Sequence, residues 1–436
     1  LDPTATPQYY PMVHSTFWVE YQIWGDDPTG YHVVNVLLHA AAAILLWLGL
    51  RRLEVPGAWL AAAVFALHPV HVESVAWITE RKNVLSGVCY LSAVFCLLQY
   101  FGIGAKSGPP SGRRAWYVSA LLLFAGALLS KTVTATLPAA MLLILWWKRG
   151  TVKGREIVAL IPFFVLGLAF GLITVWLEKH HVGALGYEWD LSAVERLLIA
   201  GRALWFYAGK LLWPAELMFN YPRWQIDAGA VWQYLFPLGI LLVLIALWVY
   251  RHRIGRGPLT AVLFFCGTLF PALGFFNVFP FRYSYVADHF QYLASIGLIV
   301  LAVGAAGRAV ARRSPVVRRA AAGIGLMLLV PLGIQTWQLG HDYRDLPTLW
   351  AATLEKNPDS ALALHNQGLL LAEKGDITAA VEHFRKALEL EPSAAEIHDI
   401  LGVALVKQGN IETAERHFAE AVRLRPDYAK AHYHLG

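Results

Sequence analysis

Charge is what this sequence has least of. Asp, Glu, Lys and Arg make up 15% of its 436 residues, while hydrophobic residues make up 57%. A soluble chain carries about 25% charged residues, so a single water-exposed globule is excluded. Cysteine is nearly absent. Cys89, Cys96 and Cys266 are the three, and all fall in apolar runs. They read as small core residues, which excludes a disulfide or zinc framework. There is no phosphate loop, no dinucleotide fingerprint and no thiol nucleophile. The sequence opens neither with methionine nor with the pattern of a secretory leader. The sequence is therefore expected to be a fragment cut at both ends.

What is present instead is a series of apolar runs. Ten are candidate spans: 31–53, 57–68, 84–101, 115–130, 132–147, 157–178, 232–250, 259–276, 288–310 and 320–340. Several are shorter than the roughly 20 residues a free-standing span needs. Short helices are tolerated where they pack inside a bundle. Segment 192–213 is apolar but carries Glu195, Arg196, Arg202 and Lys210, which suits an interfacial element.

The charges that do occur are sorted by region. Residues 1–340 hold 26 Lys+Arg and 15 Asp+Glu, and residues 341–436 hold 10 and 15. Basic residues concentrate at 51–52, 106–114, 148–155, 251–256 and 308–319. An excess of base beside apolar spans marks cytoplasmic loops, so no nucleic-acid partner is implied. These five segments share one side only if 192–213 does not cross. Ten crossings then place residues 1–30 and everything after about 340 outside the cytoplasm.

The last hundred residues carry a repeat. Pro358, Pro392 and Pro426 lie 34 residues apart, and between them Gly368 aligns with Gly402, Ala380 with Ala414 and Phe384 with Phe418. That period and pattern identify the tetratricopeptide repeat, a helix–turn–helix unit. Shifting back from Phe384 reaches Trp350, so 345–356 is expected to supply the second helix of a degenerate first repeat. The fold class is therefore all-α: a polytopic transmembrane bundle over 1–340, then a tetratricopeptide-repeat solenoid over 341–436.

Polar residues gather in the outer segments. The stretch HPVHVESVAWITERKN, residues 68–83, carries Glu73, Glu80, Arg81 and Lys82. If a helix begins near Val70, the two carboxylates share one face. Carboxylates beside cations there can hold a metal, a phosphate or an acceptor hydroxyl, or the cations can simply anchor the helix among headgroups. His68 and His71 read as metal ligands at i and i+3, or as helix-end histidines satisfied by backbone. Lys131 sits between two apolar runs, where it either snorkels or meets an anion. FRYSYVADHFQY, residues 281–292, sets Arg282, Asp288 and His289 among aromatic rings. It is an aromatic belt or the wall of a site for a polar ring. Asp26 and Asp27 could be a metal pair, but they stand in a turn before a helix start, where capping is the better reading.

Taken together, HPVHVESVAWITERKNVLSG, the turn from Lys131 to Pro138, KLLWPAELMFNYP at 210–222 and YVADHFQYLASIG at 285–297 resemble a family. They are similar to bacterial membrane proteins with C-terminal tetratricopeptide repeats, and through them to the eukaryotic transmembrane-and-tetratricopeptide-repeat O-mannosyltransferases. The wider class is the GT-C glycosyltransferases. The resemblance implies transfer of a sugar, such as mannose, from a polyprenyl-phosphate donor to a protein hydroxyl. It places that transfer on the non-cytoplasmic face of a bacterial inner membrane, with a divalent metal such as Mg or Mn as cofactor. The partners it implies are membrane lipid, the lipid-linked sugar and a protein or peptide held by the repeats.

The acidic motif of that class, which would carry the catalytic carboxylate, is expected upstream of Leu1. Among the residues present, Arg81, Lys82, Lys131 and Arg282 are the expected phosphate contacts. Glu73, Glu80, Asp288 and His289 are the expected acceptor or metal contacts. The turn at Lys131 reads Lys-Thr where relatives often have Lys-Glu, which weakens metal binding there. The alternative function is a non-catalytic scaffold whose repeats recruit envelope proteins.

Overall fold

A computed structural model describes residues 10–104, 112–177, 180 and 190–436. Lys106, of the expected basic segment 106–114, and residues 181–189 of the outer segment 179–231 lie outside the described residues. Among those described there is no strand. The chain forms two compact units, one of residues 1–217 and 225–340, the other of residues 218–224 and 341–436.

The first unit opens with α1 (Pro11–Trp24), inside residues 1–30, the segment expected outside the cytoplasm. Then follow α2 (Pro28–Arg52), α3 (Ala58–Leu67), α4 (Val72–Ala76), α5 (Arg81–Phe101), α6 (Arg113–Ser130) and α7 (Leu137–Arg149). The unit continues with α8 (Gly154–Leu177), α9 (Ala193–Leu212), α10 (Leu235–Ile254), α11 (Gly257–Leu269), α12 (Ser295–Ala311) and α13 (Pro315–Asp342). Each of the ten apolar runs contains a helix. Asp27 caps α2, its side chain accepting from Thr29 N at 2.9 Å, with Pro28 in the first turn. That is the capping role its sequence context implies. Segment 192–213 is α9, started by a capping box in which Ser192 and Glu195 satisfy each other's backbone N–H.

Among the described residues five stretches, 28–52, 78–101, 154–177, 231–254 and 315–342, are long and apolar enough to cross a bilayer alone, and the bent pair α3–α4 makes a sixth. This is a multi-pass membrane protein. α10 buries no side chain, and Leu238, Leu241, Leu242, Ile245 and Trp248 stand exposed along it. α13 buries only Gly325. Apolar faces of this extent do not survive in water, so they face lipid. The core runs along α5, whose Val84, Tyr90, Leu97 and Leu98 are inaccessible between α2 and α6. At Gly87 the absent side chain makes room for Tyr292, because a Cβ there would lie 2.7 Å from the ring. This close approach seats residues 288–292 against α5.

The second unit is built from α14 (Leu346–Lys356), α15 (Ala361–Glu373), α16 (Ile377–Leu390), α17 (Ala395–Lys407), α18 (Ile411–Leu424) and α19 (Ala429–Leu435). Asp345, Ser360, Asp376 and Asn410 cap four of these helices through their side chains. Hydrogen bonds from Thr348 hold the Asp345 carboxyl below its ordinary value. Leu364, Phe384, Leu401, Leu405 and Phe418 anchor the core. Trp350 is buried on α14, as the repeat alignment requires, and its ring meets the edge of Phe219 at 5.3 Å. Asn220 completes that contact. Its carbonyl accepts from Asn357 Nδ2 at 3.1 Å and its Oδ1 from Ser360 Oγ at 2.8 Å.

The paired helices of each repeat touch at glycine. A Cβ on Gly402 would come within 2.4 Å of the Phe418 ring, and one on Gly368 within 2.6 Å of Phe384. Gly402→Leu is therefore expected to cost the second unit about 1–3 kcal/mol, the usual penalty of overpacking. Hydrogen exchange should show faster opening of α17 and α18, with membrane insertion unchanged. Loss of insertion would show that the repeats do not form a unit of their own.

Candidate active site

The chain from α3 to α5 is broken twice. Pro69 cannot continue α3, so His68 is extended, Pro69–His71 forms a 3-10 turn, and the helix axis bends by 56° into α4. Trp77 is extended again, and a second turn, Ile78–Glu80, leads into α5. The single helix expected to carry Glu73 and Glu80 on one face is therefore two short pieces. The breaks nonetheless aim both carboxylates at one cluster.

Asn83, one turn into α5, is its hub. Its Nδ2 lies 2.6 Å from Glu80 Oε2, 3.1 Å from Ser74 Oγ and 3.0 Å from the His289 carbonyl oxygen, donating toward all three. Its Oδ1 accepts from Lys131 Nζ at 2.5 Å. Lys131 ends α6 in extended backbone, φ −163° and ψ 122°, which turns its side chain out of the helix register. Its ammonium also lies 3.5 Å from Glu80 Oε2, while Lys82 Nζ lies 2.7 Å from Glu80 Oε1. His289 enters from the 3-10 turn Asp288–Gln291. Its backbone N–H donates to Glu73 Oε2 at 2.8 Å, and its Nδ1 lies 2.9 Å from Glu73 Oε1. His289 Nε2 points toward Glu80 at 3.9 Å.

Two carboxylates and two ammonium groups balance here when His289 is neutral. Balance matters because an unpaired buried charge is costly. The burial is one-sided. Glu80 has no accessible side-chain surface, whereas Lys82 keeps 17% and Lys131 13%. The rings of Tyr10 and Trp77 flank Lys82, each 5.9 Å away. The accessible side of the cluster is thus cationic, walled by aromatics and backed by carboxylates, an arrangement that receives a phosphate or other anion.

Arg81 is not part of it. At the start of a helix, residues 80, 81 and 82 point about 100° apart, and Arg81 turns to α1 and α2. It pairs with both oxygens of Glu20, donates to Asn35 Oδ1 and Thr16 Oγ1, and donates to the Tyr31 carbonyl oxygen at 3.0 Å. Both residues are buried, so this arginine, expected at the phosphate, serves as a tie among three helices. Asp288 is buried within electrostatic reach of Tyr207 and Lys210. Arg282 lies over the Tyr283 ring at 5.8 Å.

His68 Nε2 is 3.0 Å from the Leu211 carbonyl oxygen, and His71 bridges the Phe65 carbonyl oxygen and Ser295 Oγ at 2.7 and 2.9 Å. Both follow the backbone-satisfied reading. Among the described residues no three His, Cys, Asp or Glu side chains are arranged to hold a metal. The Glu80 oxygens are engaged by Lys82, Lys131 and Asn83, a donor set that does not fit a divalent ion.

Residues 6–177 match the family model for dolichyl-phosphate-mannose-protein mannosyltransferase, which covers Glu73, Glu80, Lys82 and Lys131 but not His289. Residues 368–409 and 401–436 match models of the TPR, or tetratricopeptide, repeat. The chain is similar to a protein O-mannosyl-transferase of Caenorhabditis elegans, 25% identical over 398 residues, 88% of this chain and 54% of that protein. It is similar to the protein O-mannosyl-transferase TMTC4 of Mus musculus, 26% identical over 447 residues, 88% of this chain and 58% of that one. The Drosophila melanogaster relative Tmtc1 is 39% identical over 95 residues, 21% of this chain and 11% of its own. The chain spans about half the length of the first two relatives. It resembles the transmembrane-and-tetratricopeptide-repeat O-mannosyltransferases, as its motifs imply.

Proposed function

We propose that this chain is a membrane glycosyltransferase that moves a sugar, mannose by analogy with the names of its relatives, from a polyprenyl-phosphate donor to a protein hydroxyl. The observation that carries this reading is the convergence of Lys82 and Lys131, from different helices, on the partly open side of one buried carboxylate cluster. The acceptor oxygen attacks the anomeric carbon from the side opposite the phosphate and forms the new C–O bond. The bond from that carbon to the phosphate oxygen breaks, and its electron pair leaves with the phosphate. Lys82 and Lys131 neutralise the charge that develops there. His289, with Nδ1 on Glu73, keeps Nε2 as the acceptor for the hydroxyl proton.

The charge asymmetry of the loops supports a reaction on the non-cytoplasmic face, and the resemblance to bacterial membrane proteins supports the inner membrane as its place. The repeats, on that same side, hold the acceptor protein or a partner. Comparing the glycoproteins of wild-type and deletion cells tests the activity. Loss of O-linked sugar from specific proteins is expected, and an unaltered glycan profile would overturn it. Reporter fusions test the side. Fusions after Gly255 and Arg312 should report cytoplasm and one after Gly375 the opposite side. A cytoplasmic signal at Gly375 would sink the ten-crossing arrangement.

A further inference from the structure

A second opening lies in the membrane unit, away from the cluster of Glu73, Glu80 and Lys131. It is a cavity of 840 Å³ enclosed by α2, α5, α7, α11, α12 and the end of α10. That volume is in the range of a site for an organic ligand, about 300–1,000 Å³. Its walls are mainly aliphatic and aromatic, and none of the residues of the phosphate cluster lines it. Gly49 forms part of the wall, and a Cβ placed there meets nothing within 4 Å.

The mouth has a sign. Lys148 on α7, Arg253 on α10 and Arg308 on α12 border it, with Glu54 as the acidic residue among the lining groups. Glu54 lies 3.9 Å from Lys148, which also donates to the Leu53 carbonyl oxygen at 2.8 Å. Arg253 and Arg308 are exposed. All three cations belong to the basic segments that the positive-inside rule assigns to the cytoplasm. A separate observation points inward. Thr260 lines the cavity with 6% of its surface exposed, and its hydroxyl has no hydrogen-bond partner among the described residues. A buried hydroxyl left unpaired is costly, so the protein alone leaves one polar group of the lining unsatisfied.

We infer that this cavity binds an anionic phospholipid of the cytoplasmic leaflet, its headgroup at Arg253, Arg308 and Lys148 and its acyl chains along the apolar walls. Free phosphate would use the cations but leave the walls empty. A neutral lipid would fill the walls but leave the cations unmatched. The site does not depend on the glycosyltransferase reading, because it shares no residue with the phosphate cluster.

Native mass spectrometry of the purified full chain in detergent tests it, with phosphatidylglycerol and phosphatidylcholine of identical acyl chains as probes. The wild type should retain one phosphatidylglycerol in preference to phosphatidylcholine. Arg253→Gln and Arg308→Gln should each lower that preference about fivefold, the contribution of one charge near an anionic headgroup. Gly49→Leu fills open space and should lower retention of both lipids while leaving the preference intact. Melting temperatures of the variants, taken in parallel, separate lost binding from lost fold. Equal retention of the two lipids by the wild type would overturn the site, as would a preference unchanged in the folded double arginine variant. Stoichiometric displacement of phosphatidylglycerol by added polyprenyl phosphate would overturn the phospholipid assignment.

Discussion

Lys131→Gln is expected to lower sugar transfer about 10²–10³-fold, the usual loss when one preorganised electrostatic contact to a developing charge is removed. The lysine ends α6 with its ammonium on Asn83 Oδ1 and beside Glu80, so the neutral amide keeps a polar contact and loses the charge. Lys82→Gln should behave alike, because its ammonium meets the other oxygen of Glu80. The double variant should lose less than the product of the two single losses, since groups that act as one clamp do not add. Transfer by full-length protein in nanodiscs, from a polyprenyl-phosphate sugar to a Ser/Thr peptide, is the assay. Unchanged melting temperatures would show that the cluster still folds. Full activity in both single variants would make these lysines structural counter-ions of Glu80 and move the phosphate elsewhere.

Glu20→Ala should destabilise the membrane unit by about 3–5 kcal/mol, because it strands a charged Arg81 with no accessible surface. Against a total stability of about 5–15 kcal/mol, this is enough to lower the melting temperature sharply and reduce yield. Arg81→Gln should be comparably damaging, since Glu20, Asn35 and the Tyr31 carbonyl all lose their donor. Replacing both partners by apolar residues, Glu20→Leu with Arg81→Met, should be milder than either single change. A thermal shift of purified protein reads the effect. If Arg81→Gln melted normally yet abolished transfer, Arg81 would belong with the phosphate after all.

The parts of this structure that announce themselves in the sequence are those set by local rules. The repeat is visible because Gly402 and Phe418 must recur wherever two helices touch. The cap at Asp27 and the break at Pro69 are visible because each depends on one or two residues. Glu73, Glu80, Lys82, Lys131 and His289 could be singled out because charge in an apolar chain is conspicuous. Their grouping was not visible, because it depends on the two bends between α3 and α5 and on the room that Gly87 leaves for Tyr292. Asn83 carries no charge and so gives no such signal, although a lysine as buried as Lys131 requires acceptors close by, which Asn83 and Glu80 supply. Glu20 is not legible as the partner of Arg81, because α1 has no strong apolar period and adjacency in sequence groups Arg81 with Glu80 and Lys82 instead.

The position of Asn220 fixes an order of events during synthesis. Its partners Asn357 and Ser360 follow it by 137 and 140 residues. At about 5–20 residues per second, residues 218–224 leave the ribosome roughly 7–28 s before Asn357 and Ser360 do. Asn220 spends that interval without those two partners, and the second unit cannot close until residues 218–224 are rejoined by residues 357–360. A chain ended at residue 340 would never complete that step.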